Sequence, residues 1–327
     1  MMRTYRRLIL IALSLAFAVV VLGAYVRLSD AGLGCPDWPG CYGHISPHHA
    51  QGDIAAAQAI QPDGPVSQPK AWKEMTHRYF AGTLGLLILA IALMAWLKQR
   101  DRAQGVWLPS MLPLVVLFQA LLGMWTVTEL LKPLVVTAHL IGGMTTLSLL
   151  TWLWLRESRV KDASYLPQAP WFKPWAALGL TLLIGQIILG GWVSTNYAAL
   201  ACTDFPRCHG VWMPPMDFET AFTLRRKLGM DAQGGLLSLQ ALTAIHWTHR
   251  LGALLVFLYL GWLGSKLLKT QGFKSIGTLL LGLLTVQVVL GITNVLASLP
   301  LSVAVAHNAG AALLLVTLVT LNFKLNA

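Results

Sequence analysis

An all-α integral membrane protein, built as two pseudo-symmetric four-helix bundles by internal duplication, is the fold class that three observations predict. The chain is 56% hydrophobic and 11% charged, where a soluble domain carries about 25% charged residues. Eight apolar segments reach the roughly 20 residues a helix needs to cross a bilayer. The sequence also repeats itself at offsets of 167 to 172 residues, a period far too long for a solenoid.

The spans are expected near 8–28, 74–97, 107–128 and 134–155 in one half, and 174–196, 241–264, 274–297 and 300–322 in the other. The first follows Arg3, Arg6 and Arg7 and has the outline of a secretory leader. Its run is long, however, no A-x-A-like site follows cleanly, and its repeat counterpart at 174–196 is internal, so it is read as a retained helix. The duplication is dense. LGAYV (22–26) matches LGGWV (189–193), CPDWPGC (35–41) matches CTDFPRC (202–208), and QALLGMWTV (119–127) matches QVVLGITNV (287–295). Each copy has an even number of spans, so both face the same way. The expected domains are 1–160 and 161–327, joined by the charged, proline-bearing linker 156–173.

The net charge of +11 raises a nucleic-acid reading, and its distribution answers it. With the N-terminus inside, the cytoplasmic segments hold 14 basic residues, from Arg3 through Lys98, Arg100, Arg102, Arg156, Arg159, Lys161 and Lys173 to Lys266, Lys269, Lys274 and Lys324. Only Asp101, Glu157 and Asp162 oppose them, and the remaining 10 basic and 10 acidic residues cancel outside. The surplus is the positive-inside signal, with both termini cytoplasmic. It speaks of a bilayer and against nucleic acid. Two long outer loops follow, 29–73 and 197–240. The first is rich in Gly, Pro, Gln and Asp; the second contains DFETAFTLRRKLG (217–229), which reads as a short amphipathic surface helix.

Four histidines lie in apolar stretches: His77 in EMTHR, His139 in TAHLIGG, His249 in HWTHR and His307 in VAHNAGA. Ionisable groups at membrane depth are functional candidates by default. Their duplicated pattern suggests one iron porphyrin per bundle, ligated through two imidazoles, about 10 Å below the outer surface at 1.5 Å per residue. Packing or hydrogen bonding is the plain alternative for any one of them. Arg78 and Arg250 follow His77 and His249, and a guanidinium there suits a porphyrin propionate or snorkels to headgroups. The informative difference between the halves is one position, where Glu74 precedes His77 by three residues and His246 so precedes His249. An i, i+3 spacing puts each pair on one helix face. Glu74 is thus a candidate general base or electrostatic stabiliser, or else a solvated residue beside Lys73. His246 is read as structural support ahead of iron ligation.

The four cysteines form two C-x5-C pairs. Zinc sites favour shorter spacing, whereas an oxidising outer compartment suits Cys35–Cys41 and Cys202–Cys208 to intraloop disulfides; a redox or thiol-transfer role is the alternative. His44, His48, His49 and His209 read as exposed loop histidines. Gly142, Gly143 and Gly310, just after histidines, let helices or a flat macrocycle approach closely. No P-loop, G-x-G-x-x-G or H-E-x-x-H pattern occurs.

GAYVRLSDAGLGCPDWPGCYG, then EMTHR, TAHLIGG, THRLGA and VAHNAGA in that order, resemble the heme A synthase family over nearly the whole chain. The resemblance implies a membrane oxidoreductase that converts the C8 methyl of heme O to the formyl group of heme A, through hydroxylated intermediates, for cytochrome oxidase. It implies a heme b cofactor on His249 and His307, substrate heme O near His77 and His139, a catalytic carboxylate at Glu74, and a disulfide between Cys35 and Cys41. It also implies partnership with a heme O synthase and oxidase assembly factors. A homo-oligomer is compatible with it. The location expected is a bacterial inner membrane, with the heme sites toward the outer side. Two readings compete: a b561-like two-heme electron carrier, and a heme transporter or chaperone.

Overall fold

The computed structural model describes residues 2–97, 105–158 and 170–326. Ten α-helices form among them: α1 Met2–Leu28, α2 Gln51–Ile60, α3 Gln68–Leu97, α4 Trp107–Thr128, α5 Pro133–Ser158, α6 Lys173–Thr195, α7 Phe218–Ala221, α8 Leu239–Leu268, α9 Lys274–Leu296 and α10 Leu301–Asn326. Eight of these, all but α2 and α7, are long and apolar enough to cross a membrane. They coincide with the eight expected spans. Within the bilayer a backbone can satisfy its polar groups only by pairing them internally, which is why the apolar runs become unbroken helices.

The helices run past the apolar runs at several ends. α3 begins at Gln68, before the expected 74, with Pro69 in its first turn, where a missing N–H costs little. α8 starts at the Ser238 cap, whose side chain accepts from the Ala241 N–H, and ends beyond Lys266. α10 continues past Lys324. Hydropathy marks where hydrocarbon stops; the helix carries on while lysines reach water.

The chain divides into two compact units, Met1–Leu149 and Leu150–Ala327. The boundary expected at 160/161 lies outside the described residues, as do most of the 156–173 linker and the charges at Lys98, Arg100, Asp101, Arg102, Arg159, Lys161 and Asp162. In the first unit α3 packs between α1 and α4, and α2 rests on α3. In the second, α6, α8, α9 and α10 pack in a closed ring, each against the next, with α7 lying on α8.

Both long loops are more structured than their composition suggests. α2 folds from QGDIAAAQAI in the first loop, where no helix is expected from the sequence; Ile54 buries against Ala50, Ala71, Met75 and the Cys35–Cys41 pair. The amphipathic helix expected at 217–229 is not formed. Only Phe218–Ala221 is helical, capped by the Asp217 carboxylate accepting from Thr220 N–H. The reason is Arg226, which is buried and donates to the carbonyls of Thr223, Ala221 and Met230. Its guanidinium lies over the Trp192 ring, and wrapping the chain around that cation ends the helix after one turn.

Candidate functional site

Every one of the four membrane histidines rests its ring on a glycine of a neighbouring helix. A Cβ built on Gly23 of α1 would lie 3.0 Å from His77 Cε1. Gly123 of α4 meets His139, Gly190 of α6 meets His249, and Gly291 of α9 meets His307, each at 3.1 Å. Any larger residue there would push the imidazole aside, so glycine is required by close approach rather than by backbone conformation. The glycines occupy matching positions of the repeats LGAYV/LGGWV and QALLGMWTV/QVVLGITNV. His77 and His139 are close enough to interact electrostatically, as are His249 and His307. The expected pairs are therefore brought together, one within each unit.

Nδ1 of His77, His139 and His307 is buried with no hydrogen-bond partner among the described residues. Such orphaned polar atoms are uncommon and call for an explanation. Burying Nδ1 leaves Nε2 as the nitrogen a ligand reaches. Two imidazoles per unit in apolar surroundings, each seated against a glycine of a neighbouring helix, fit a bis-histidine porphyrin.

Three glutamines join these histidines, and sequence reasoning passed them over. Gln119 Nε2 donates to the His139 carbonyl at 2.7 Å, and Gln287 Nε2 to that of His307 at 3.0 Å. Gln186 Nε2 donates to the His249 carbonyl and also lies 3.0 Å from His249 Nδ1. The amide oxygens lie against Gly142, Gly310 and Gly252, where a Cβ would collide with them. Gly142 and Gly310, expected to admit close approach, thus admit a glutamine. The signal was available: QALLG, QIILG and QVVLG place Gln and Gly four residues apart, on one helix face.

Glu74 and His246 occupy corresponding places and face the disulfide loops. Both are buried, at 4% exposure each. Glu74 Oε2 accepts from the Cys35 N–H at 2.9 Å, and Oε1 pairs with Arg78 Nη2 at 2.5 Å. Arg78 Nη1 donates to the carbonyls of Asp37 and Gly40. In the second unit the Cys202 N–H points at His246 Nδ1 across 3.3 Å, and Arg250 Nε lies 3.2 Å from Nε2. A neutral imidazole has one lone pair, so only one of these contacts is an accepted hydrogen bond. Arg250 also donates to the carbonyls of Cys202 and Arg207. Both arginines thus hold a disulfide loop onto a histidine-bearing helix.

Both disulfides are formed, with Cα atoms 4.9 Å apart in Cys35–Cys41 and 5.0 Å apart in Cys202–Cys208. Each loop turns on an aspartate. Asp37 accepts from the N–H groups of Tyr42 and Gly43, and Asp204 from those of His209 and Gly210. Gly43 and Gly210 take positive φ, the conformation in which a side chain would be strained. The Gly210 and His209 amides hold the Asp204 carboxyl below its ordinary range. Cys202, Cys208 and His209 lie together, but the two sulfurs are bonded to each other, which leaves no thiolate for a metal. His44, His48, His49 and His209 are exposed.

Residues 6–319 match the cytochrome oxidase assembly protein family. The chain belongs to that family. A heme A synthase of Shewanella oneidensis is 46% identical over 318 residues, 97% of this chain and 96% of the relative. The heme A synthase of Caulobacter vibrioides is 31% identical, covering 93% and 91% of the two chains. That of Nitrosomonas eutropha is 27% identical over 94% and 89%. Membership spans all eight long helices, so both histidine pairs and both disulfide loops fall inside the family match.

Proposed function

We propose that this protein is a heme A synthase: an integral membrane enzyme that oxidises the C8 methyl of heme O to the formyl group of heme A for cytochrome oxidase. The observation that carries the reading is the pair of buried histidine sites, alike in their glycine seats and unlike where Glu74 stands against His246. A symmetric two-heme electron carrier has no use for a single carboxylate in one bundle.

The substrate site is the N-terminal pair. His77 and His139 hold the iron of heme O, and Gly23 and Gly123 seat their imidazoles. Taking the methyl through an alcohol to a gem-diol, with water then lost to leave the aldehyde, adds one oxygen atom and removes four electrons overall, which an external electron acceptor must take up. Glu74 supplies fixed negative charge beside the electron-poor carbon. Its two oxygens are already engaged by N–H donors, a preorganised arrangement that suits electrostatic stabilisation better than proton abstraction. Buried away from water, that charge acts more strongly than it would in water, with Arg78 offsetting part of it.

His249 and His307 hold heme b, which supplies one-electron transfer. His246 supports the second loop, with Arg250, and ligates no iron. The arginines hold the loops over the helix ends, and this is the role that their hydrogen bonds favour over propionate pairing. The disulfide loops exclude water from the mouths of the bundles. The location that fits is a bacterial inner membrane with these mouths on the outer side, where cysteines oxidise. Partners would be the enzyme that makes heme O and the factors that pass heme A to the oxidase.

The test is chromatography and mass analysis of hemes extracted from the purified chain after expression with a heme O synthase. Heme A or hydroxylated heme O, together with heme B, is the expected result. Heme B alone, with heme O unchanged in the membranes, would overturn the reading in favour of an electron carrier.

A further inference from the structure

Three of the four histidines share one local construction. The neighbouring helix carries Gln and, four residues on, Gly; the histidine helix carries Gly three residues after His. Gln119 and Gly123 serve His139 and Gly142; Gln186 and Gly190 serve His249 and Gly252; Gln287 and Gly291 serve His307 and Gly310. In each, the glycine on one helix receives the imidazole and the glycine on the other receives the amide oxygen. The amide N–H ties the two helices together at the histidine's own carbonyl.

His77 departs from this pattern. Gly23 is present and receives its ring, but the position four residues earlier is Val19, and the position three after His77 is Phe80. Among the described residues no side chain donates to the His77 carbonyl, unlike the carbonyls of His139, His249 and His307. Phe80 is exposed. A valine cannot make the tie, and a phenylalanine leaves no recess for an amide. Interhelical amide bonds hold apposed helices together in a bilayer, where the apolar surfaces themselves gain little from meeting.

We propose that the glutamine tie is a retention lock, and that His77, which lacks it, is the releasable ligand, with the α1–α3 seam opening to admit heme O and discharge heme A. This rests on the reading of the histidines as heme ligands. The logic matches the two tasks. A resident electron-transfer heme must stay, and both of its histidines are locked. A substrate heme must come and go, and one of its two histidines is free to move while locked His139 keeps the site in register. Gln119, Gln186 and Gln287 are positioning residues: they touch the ligand histidines, not the reacting carbon.

The test is the rate at which the purified, heme-loaded chain in detergent loses heme to excess apomyoglobin. The natural chain should show a fast phase from the His77–His139 pair and a slow one from the His249–His307 pair. Gln186→Leu should speed the slow phase about tenfold, the scale of one lost buried hydrogen bond, and leave the fast phase alone. The double variant Val19→Gln, Phe80→Gly should slow the fast phase by a similar factor. That result cannot come from general destabilisation, and it stands even if Gln186→Leu fails to fold. Heme bound in the natural chain and the double variant, with the fast phase unchanged, would overturn the lock and leave the ligand assignment standing. A natural chain that carries no heme would overturn the ligand assignment, and the lock with it.

Discussion

The backbone N–H of Cys35 donates to Glu74 Oε2 across 2.9 Å, so the first disulfide loop and the membrane helix α3 are fastened by a carboxylate. Arg78 completes the joint from one turn further on, pairing with Glu74 Oε1 and donating to loop carbonyls of Asp37 and Gly40. The carboxylate three residues before His77 is thus the group that fastens the loop to the helix.

Replacing Glu74 separates its charge from its packing. Glu74→Gln retains an acceptor for the Cys35 N–H and removes the charge. Heme A yield should fall about a hundredfold or more, the scale of losing one preorganised electrostatic group. Heme should still be bound, and heme O or its alcohol should accumulate in the extracted pigments. Normal heme A from Glu74→Gln would end the electrostatic role.

Gly291 tests the ring seats. A side chain there starts 3.1 Å from His307 Cε1, and overpacking of that kind costs about 1–3 kcal/mol. Gly291→Val should therefore lower heme occupancy of the C-terminal pair about tenfold, read as bis-imidazole absorbance per mole of chain. Full occupancy would show that the contact is incidental.

The disulfides predict a thiol count and a stability. Maleimide should label no cysteine in the untreated chain and four after reduction, because all four are bonded. Closing so short a loop contributes about 2 kcal/mol in the chain-entropy account. Cys202→Ser should lower the melting temperature accordingly. Labelling of the unreduced chain would contradict the pairing.

The second loop should loosen in acid. Asp204 has its carboxyl held below the ordinary range by the Gly210 and His209 amides. A depressed carboxylate adds stability that is fully present above the ordinary value near pH 3.8 and is lost as pH falls through the lower folded value. The protection of the His209 and Gly210 amides, measured as exchange relative to the intrinsic rate at each pH, should therefore fall as the pH drops below about 4, and Asp204→Asn should flatten that dependence. Protection that does not respond to acid in the natural chain would remove Asp204 from the loop's support.

Much of this was legible in the chain itself. The spans follow from runs of apolar residues, because a bilayer core of fixed thickness demands them. The disulfide pairs follow from short spacing in an outer loop, and the four histidines stand out because imidazole is rare in lipid. The helix at Gln51–Ile60 was not legible, since its weakly apolar sequence is held by burying Ile54 against the disulfide. Nor was the loss of the 217–229 helix, where the buried Arg226 collects three carbonyls that a regular helix would have kept.

The sequence by itself determined which eight segments are long and apolar enough to cross a membrane, which histidines fall in them, and which cysteines pair, because each depends on local composition or short spacing. Only the tertiary structure decided what those residues touch. That Gly291 receives His307, that Gln186 holds His249, that Glu74 spends both oxygens on a loop and its arginine, and that His77 lacks a tie are outcomes of helix against helix. Periodicity tells which face of a helix is apolar; it does not tell which residue on the neighbouring helix stands opposite, because that depends on the packing of the two helices rather than on either sequence alone.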